Sequence, residues 1–396
     1  MRLRYTAPLS LPRLPPDSPA SALHAAPGAC ILVEPPGMER PMLRHAPEFV
    51  DDPGGTGLFA GLAAAPYVSP PAFLTVLPAA TLFGYRSLAW DGRFCNDEAG
   101  GGPADTARFL AALAAREPFP NEDTGLLAAS DGDGFCLPAR TGRHHPGTAV
   151  VLCSHEPSNY GSFIFRVLPK LHAVRTHGLG LLPMVVWGHN PAFMELLRLA
   201  GVPAAQVVQH DTHVPMTFDR VIAPSLRNPH GFLDPETRAL FQGMADDALA
   251  ANPGPAAGRR LYVSRLGQAR HGPSTRRMVN EAEVAAAMSH LGFEVIEPEA
   301  LPPSAQIAAF ASADIVVGPS GSGMFNTVFC RPGTKIVDIE SEPFWIYAHA
   351  GLFASCQARY GIFVGVMDPA DPAPVHRRFS VDIGALVSQV MRFMAE

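Results

Sequence analysis

A-D-I-V-V-G-P-S-G-S-G-M-F-N-T-V-F-C-R-P-G-T-K-I-V-D-I-E, residues 313–340, decides the fold. Ile315–Val317 is a short β-branched run, as expected of a strand buried on both faces. A glycine-rich turn follows at Gly318–Gly323. Gly323–Cys330 carries apolar residues at helical spacing, and Lys335–Ile339 is a second buried strand. Strand, helix and strand at this distance make a parallel crossover unit. The alternation extends outward on both sides. Leu261–Ser264 leads to a helix over Glu281–Leu291, and Phe293–Ile296 to one over Ser304–Ser312. Lys335–Ile339 leads to Phe344–Phe353, and Ile362–Gly365 to Val381–Met394. Units of this kind, joined by right-handed crossovers, predict a doubly wound parallel sheet.

A second alternation begins upstream, at Gly147. Strands are expected at Thr148–Cys153, Met184–Trp187 and Val207–Gln209, with one or two more within His213–Ile222. Helices are expected at Phe163–Thr176, Pro191–Ala200 and Pro235–Ala250, the last capped by Asp234. The linker A-N-P-G-P-A-A-G at 251–258 is the expected domain boundary. Ala72–Cys95 breaks at Gly84 and at the Asp91-Gly92 turn, which reads as a β-meander. Residues 105–117 have helical spacing. The first 65 residues are rich in Pro, Gly and Ala and read as an irregular lead-in. The expectation is therefore an α/β chain of two Rossmann-like doubly wound domains with a small N-terminal β-meander. The lead-in is 1–65, the first α/β domain 66–250 and the second 259–396. Two such sheets in series would offer a cleft at their carboxyl ends.

Composition narrows the class. A chain of 396 residues suggests two or three domains, and 47% apolar residues provide a core, which excludes a wholly disordered chain. Thirty basic residues stand against 36 acidic ones, so the basic footprint of a nucleic-acid binder is absent. Only Lys170 and Lys335 are lysines. That arginine skew fits phosphate recognition or, more simply, a GC-rich genome. The six cysteines show no CxxC spacing, and a chain this long needs no disulfide staples. The N-terminus lacks the apolar stretch of a signal peptide, and no run of 18 apolar residues occurs. A soluble cytoplasmic protein is expected, with a place against a membrane or a larger assembly left open.

Five constellations bear on chemistry. In Gly318–Asn326 a strand-to-helix turn lets backbone N–H groups approach an anion, with hydroxyls from Ser320 and Ser322; the plain alternative is a tight turn capped by Ser322. No Gly-Lys-Ser/Thr follows, so it is not a Walker loop. Six arginines, at 259, 260, 265, 270, 276 and 277, form a cluster. Arg265 follows a strand directly and suits bidentate phosphate recognition, while the others read as a solvated loop, with Arg276 or Arg277 as a second clamp. In Ser154–Phe163, His155 and Glu156 are candidate general bases, against a capping loop in which Asn159 caps the helix. In Gln209–His213, Asp211 is a candidate base or sugar contact; a metal site there would require adjacent ligands to share one ion. In Ile339–Trp345, Glu340 and Glu342 are candidate acceptors for ribose or sugar hydroxyls, with Phe344 or Trp345 to stack, against a helix start with Pro343 at its first position. Asp131-Gly-Asp133 resembles a metal-binding DxD but sits in a glycine-rich turn.

Together these stretches resemble glycosyltransferase family 61, whose bacterial members include capsular polysaccharide biosynthesis proteins. The β-meander around Phe73–Asp91 resembles the family's first strands. N-Y-G-S-F-I-F-R-V-L-P-K (159–170) resembles N-Y-x-H-W-x-x-[DE]-x-L-P-[RK]. R-L-Y-V-S-R with R-R-M-V-N-E (260–281) resembles R-x-Y-[IV]-S-R with R-x-[IVL]-x-N-E. G-P-S-G-S-G-M-F-N with P-G-T-K-I-V (318–337) resembles G-P-H-G-A-G-L-x-N with P-G-x-x-[IV].

The resemblance implies a GT-B-like pair of domains and inverting transfer from a nucleotide-diphosphate sugar, with no metal and no further cofactor. It implies that Ser320, Gly321, Ser322, Gly323 and Asn326 lie by the diphosphate, and that Arg265 neutralises the leaving group. The implied partners are a nucleotide sugar and a glycan acceptor. Three positions depart from the motifs. Ser162 and Ser320 stand where the family has histidine, and Arg166 stands where it has an acid. His155, Glu156 and Asp211 are the nearest replacements for the base, and Asn159 and Arg166 are candidate contacts to donor or acceptor. The departures also motivate an alternative: a non-catalytic relative that binds nucleotide sugars or glycans. A dehydrogenase is disfavoured, because Gly321-Ser322-Gly323 lacks the third glycine of a dinucleotide fingerprint.

Overall fold

The computed structural model describes residues 2–15, 28–32, 41–68, 72–97, 111, 127–128, 135–136, 141–188, 190–227, 231–252, 254, 257–267, 276–342, 346–373 and 376–396. The expected helix within 105–117, the Asp131–Asp133 turn, Arg270, Pro343, Phe344 and Trp345 lie outside these residues. The chain divides into two compact units. One comprises Met1–Arg40 and Ser69–Pro229, the other Pro41–Val68 and His230–Glu396.

The first unit is built on a thirteen-stranded mixed sheet. Its parallel part holds β1 (Arg143–Val151), β2 (Met184–Trp187), β3 (Val207–His210) and β4 (Met216–Pro224), in the order β3-β2-β1-β4. Helix α1 (Lys170–Thr176) and helix α2 (Pro191–Leu199) form its crossovers, and Asn190 caps α2 by accepting from the Ala192 N–H at 2.9 Å. The expected meander is present: Thr81–Phe83, Ser87–Trp90 and Arg93–Cys95 pair antiparallel in turn. Asp91 (φ 43°) and Gly92 (φ 69°) both take left-handed backbone. That is the two-residue turn that matches strand twist.

The helix expected over Phe163–Thr176 is not continuous. Phe163–Val167 is a π turn closed by Leu168 N–H donating to Phe163 O at 3.1 Å. Pro169 explains the break, since it supplies no N–H and its ring excludes a preceding carbonyl.

The lead-in is more ordered than its composition suggests. Arg2–Tyr5 pairs with Arg93–Cys95 and with Phe135–Cys136, and Ala29–Leu32 pairs with Phe73–Pro78. Leu3, Cys30 and Ile31 are fully buried. Non-local pairing and burial, which a compositional reading cannot detect, make these strands.

The second unit carries the all-parallel sheet. Its strands are β5 (Arg259–Val263), β6 (Glu294–Ile296), β7 (Ala313–Pro319), β8 (Lys335–Glu340) and β9 (Arg359–Val364). They run in the order β6-β5-β7-β8-β9, and Val50–Asp51 closes the edge beside β9. One face packs Tyr262, Ile315, Val317, Val337 and Ile339 against α4 (Glu281–His290) and α7 (Ile383–Ala395). On the other side lie α3 (Pro235–Ala251), α5 (Pro303–Ala311), the 3₁₀ helix Ser322–Phe329 and α6 (Ile346–Ser355).

The boundary expected at 251–258 falls inside this unit, and α3 belongs with the sheet on its C-terminal side. Its apolar side holds Phe241, Met244 and Ala248, and Phe241 meets the Phe329 ring edge-on at 5.4 Å. Arg238 adds a bond to Cys330 O at 2.7 Å. Packing thus outweighs the loop-like linker. Asp234 caps α3 as expected, accepting from the Thr237 N–H at 2.9 Å. Among the described residues no helix is long and apolar enough to cross a membrane.

Candidate functional site

In the second unit the chain leaves β5 toward β6 on one side, while β7 lies on the other. That reversal is a topological switch point, where the carboxyl ends of an α/β sheet leave a crevice. Val263 and Pro319 end the two strands there. Three glycines bring the segments together. A Cβ on Gly318 would lie 2.9 Å from Val263 Cβ, one on Gly323 3.1 Å from Val263 Cγ1, and one on Gly321 3.4 Å from Arg265 Cζ. The turn is therefore shaped around Val263 and Arg265.

Arg265 is held at both ends. Its backbone N–H donates to Glu281 Oε1 at 2.5 Å, and Ser264 Oγ donates to the same oxygen at 3.2 Å. Its Nη1 donates to Ser320 O at 3.2 Å. Burial, and then the Arg276 charge, push its pKa down, but a guanidinium keeps its proton in a protein. A fixed cation thus sits on the glycine-rich turn. The first turn of the 3₁₀ helix adds N–H groups that have no acceptor within the helix. This end of the sheet favours an anion.

The arginines clustered in sequence are separated in space. Arg276 joins Arg265 through its backbone carbonyl, 3.5 Å from Arg265 Nη1, and its own Nη1 lies 3.7 Å from Glu340 Oε2. Arg277 is exposed. Arg259 pairs with Glu294 at 2.6 Å, and Arg260 donates to Leu291 O at 3.1 Å. Both sit at the amino end of β5, a strand length from the turn.

Several predicted residues brace the turn. Ser320 is buried, with Oγ 3.3 Å from His349 Nδ1. Asn326, fully buried, donates to Gly323 O at 3.2 Å and to Gln306 Oε1 at 3.4 Å. The helix is capped by Gly321, so Ser322 takes its first position rather than the cap. Glu342 accepts from the backbone N–H groups of His376 (3.0 Å) and Arg377 (2.8 Å), which anchors that loop.

Sequence reasoning missed His349. It lies on α6 and its Nδ1 is 3.0 Å from Asp338 Oδ2. The available signal was one histidine within the apolar run I-Y-A-H-A-G-L-F-A. Glu340 completes the cluster, and burial, then the neighbouring Asp338 charge, push its pKa up.

In the first unit, the loop after β1 carries His155 and Glu156. Glu156 holds a left-handed φ of 49°, a strained conformation for a residue with a side chain. Asn159 caps the following turn, its Oδ1 accepting from the Ser162 N–H at 3.1 Å, and Ser162 Oγ donates to His155 O at 2.6 Å. Arg166, on the π turn, lies 3.6 Å from Glu156 Oε2. The structure therefore brings Glu156 and Arg166 together. The His155 ring turns toward Tyr85, with the two centroids 6.4 Å apart. Asp211 follows β3, two strands from β1 and so roughly 10 Å across the sheet. Its Oδ1 accepts from the His213 N–H at 2.9 Å, closing a turn. His210 turns inward, with Nε2 2.9 Å from Gly84 O. Among the described residues no group of three metal-ligating side chains assembles.

The loop is fixed by a cluster that sequence reasoning also missed. Lys170 is fully buried and donates to Asp97 Oδ2 (2.8 Å), Cys153 O (2.8 Å) and Leu152 O (3.2 Å). Ser154 Oγ donates to Asp97 Oδ2 at 2.6 Å, and Arg86 Nη1 to Asp97 Oδ1 at 3.1 Å. Burial alone would raise the Asp97 pKa; Lys170 and then Arg86 overcome it and hold it at about 2.

Residues 160–337 match the glycosyltransferase 61 family model. The resemblance read in the sequence is borne out over that stretch. The match takes in Arg166, Lys170, Arg265 and the whole Gly318–Asn326 turn, and stops short of His349. A β-1,2-xylosyltransferase of rice (Oryza sativa subsp. japonica) is 38% identical to this chain over 85 residues, covering 20% of this chain and 13% of the rice protein. This chain thus spans a small part of that relative. Within the family segment, Lys170 of the L-P-[RK] signature clamps the motif helix to the end of β1, and the glycines of the second signature bring Arg265 onto the turn.

Proposed function

We propose that the protein is an inverting glycosyltransferase that moves a sugar from a nucleotide-diphosphate sugar to a hydroxyl of a glycan, in capsular or extracellular polysaccharide synthesis. The observation that carries this reading is Arg265 seated on the glycine-rich turn at the switch point of the parallel sheet, inside the family match. In this reading the two units are the paired domains of a GT-B-like enzyme. The donor's diphosphate lies along Gly321–Gly323, with Arg276 behind Arg265, and Glu342 accepts from a ribose or sugar hydroxyl.

A base takes the proton of the acceptor hydroxyl, whose oxygen bonds to the anomeric carbon. The bond from that carbon to the diphosphate oxygen breaks, and the nucleoside diphosphate leaves with the electron pair. Arg265 and the turn N–H groups stabilise its charge, the role a metal ion plays in other transferases. Glu156 is the foremost candidate base: its carboxylate is about one-third exposed (37%) and sits beside Arg166, whose own position carries an acid in the family motif. His155 and Asp211 are the other candidates.

The test is nucleoside-diphosphate binding by calorimetry across UDP, GDP and dTDP. Arg265→Ala should weaken the best of them by about 1.5–3 kcal/mol, roughly 10- to 150-fold. Unchanged affinity removes Arg265 from the site. The serines at 162 and 320 favour a second reading, a non-catalytic nucleotide-sugar or glycan binder. Binding without hydrolysis of, or transfer from, any donor sugar would select it.

A further inference from the structure

We propose that His349 is a positioning residue for the anion-binding turn, acting from α6 through Ser320. The inference rests on the turn being a diphosphate site. His349 is buried, with 1% of its surface exposed, so it acts on a ligand only through another residue. Its ring is fixed on several sides. The Phe325 ring meets it edge-on at 5.0 Å, Phe353 lies 5.7 Å away, and Asp338 Oδ2 is 3.0 Å from Nδ1. With a carboxylate at that distance Nδ1 carries the proton, since an ionised carboxylate only accepts. The same N–H faces Ser320 Oγ at 3.3 Å. The serine hydroxyl then accepts from the imidazole.

Every polar group of Ser320 is thereby engaged. Its N–H donates to Ile339 O at 2.8 Å, its carbonyl accepts from Arg265 Nη1, and its hydroxyl contacts His349 Nδ1. Ser320 ties together β8, α6 and the cation that follows β5. Its hydroxyl points away from any ligand, and diphosphate recognition falls to Arg265 and to the residues after Ser320. Loss of the imidazole N–H frees the serine, loosens the peptide whose carbonyl holds Arg265, and lets the guanidinium leave the turn.

Calorimetric titration of the full chain with inorganic pyrophosphate tests this. His349→Phe keeps a ring and removes Nδ1, whereas His349→Asn returns a donor near that position. His349→Phe should weaken pyrophosphate binding at least tenfold, and His349→Asn should stay within about threefold of the parent. In a Ser320→Ala background His349→Phe should cause no further loss, because coupled residues do not add. An affinity for His349→Phe within twofold of the parent, or two losses that multiply, overturns the proposal. If Arg265→Ala also leaves binding unchanged, the diphosphate reading itself has failed; if only Arg265→Ala weakens it, the role of His349 alone has failed. Should His349→Phe not fold, Ser320→Ala carries the test: it must weaken binding at least tenfold, and adding His349→Asn to it must change nothing further.

Discussion

Lys170→Met tests the clamp that holds the loop of the first unit. The lysine is fully buried and satisfies three acceptors, while among the described residues Asp97 keeps the Arg86 and Ser154 side chains when it is gone. Two carbonyls, of Leu152 and Cys153, lose a charged donor. Breaking a buried ion pair from one side costs about 3–5 kcal/mol. Independently, Asp97 is held at about 2 against an ordinary 3.8. A depressed carboxylate stabilises the fold above its unfolded pKa and loses that stability as pH falls through the folded value. The difference is on the order of 2 kcal/mol, lost between about pH 4 and pH 2.

Urea unfolding followed by tryptophan fluorescence reads both quantities. Trp345→Phe silences the second unit, because Trp90 and Trp187 belong to the first. Lys170→Met should lower stability by about 3–5 kcal/mol at pH 7, and its acid arm should be shallower than the parent's. A cost below about 1 kcal/mol at pH 7, with the acid arm unchanged, would refute a desolvated clamp and reduce Lys170 to a surface-like pair.

Gly318→Ala places a methyl 2.9 Å from Val263 Cβ. It should cost about 1–3 kcal/mol and weaken nucleoside-diphosphate binding with it; neutral behaviour in thermal melts would show that the strand ends can part. Glu156→Gln should lower kcat of sugar transfer about 100-fold or more with little change in KM, if Glu156 takes the acceptor proton. A full rate in that variant shifts the base to His155 or Asp211.

The second unit was legible because its strands and helices are local and periodic. β5 to β9 each fall within a few residues of their expected positions, since buried parallel strands announce themselves as continuous β-branched runs. Arg265 was legible for the same reason: a residue that follows such a strand lies at its carboxyl end. What escaped was long-range. Arg2–Tyr5 and Ala29–Leu32 become strands only through partners dozens of residues away, and α3 joins the second unit by packing that its linker conceals. The clusters around Asp97 and His349 join side chains 73 and 29 residues apart, Lys170 with Asp97 and His349 with Ser320. No spacing rule links them.

The departures from the family motif bear on whether the chain is an enzyme or a binder. Position 166 has exchanged an acid for arginine, and a carboxylate from Glu156 now stands 3.6 Å from it. Position 320 has exchanged histidine for serine, and an imidazole from His349 now contacts it. In each place the missing kind of group is supplied by an adjacent element. A site drifting without function has an easier course, because replacing buried charges with apolar side chains of similar volume is commonly neutral or stabilising. Yet Asp338, Glu340 and His349 remain buried beside Arg276, and Glu340 and Asp338 oppose each other's charge. Burying such a cluster costs stability, and the geometry joins it directly to Ser320 and, through it, to Arg265. On the proposed function the cluster serves to hold Arg265 in register with a diphosphate, a need that a nucleotide-sugar transferase and a nucleotide-sugar binder share and a pure glycan binder lacks, so turnover of a donor sugar is what separates the first two.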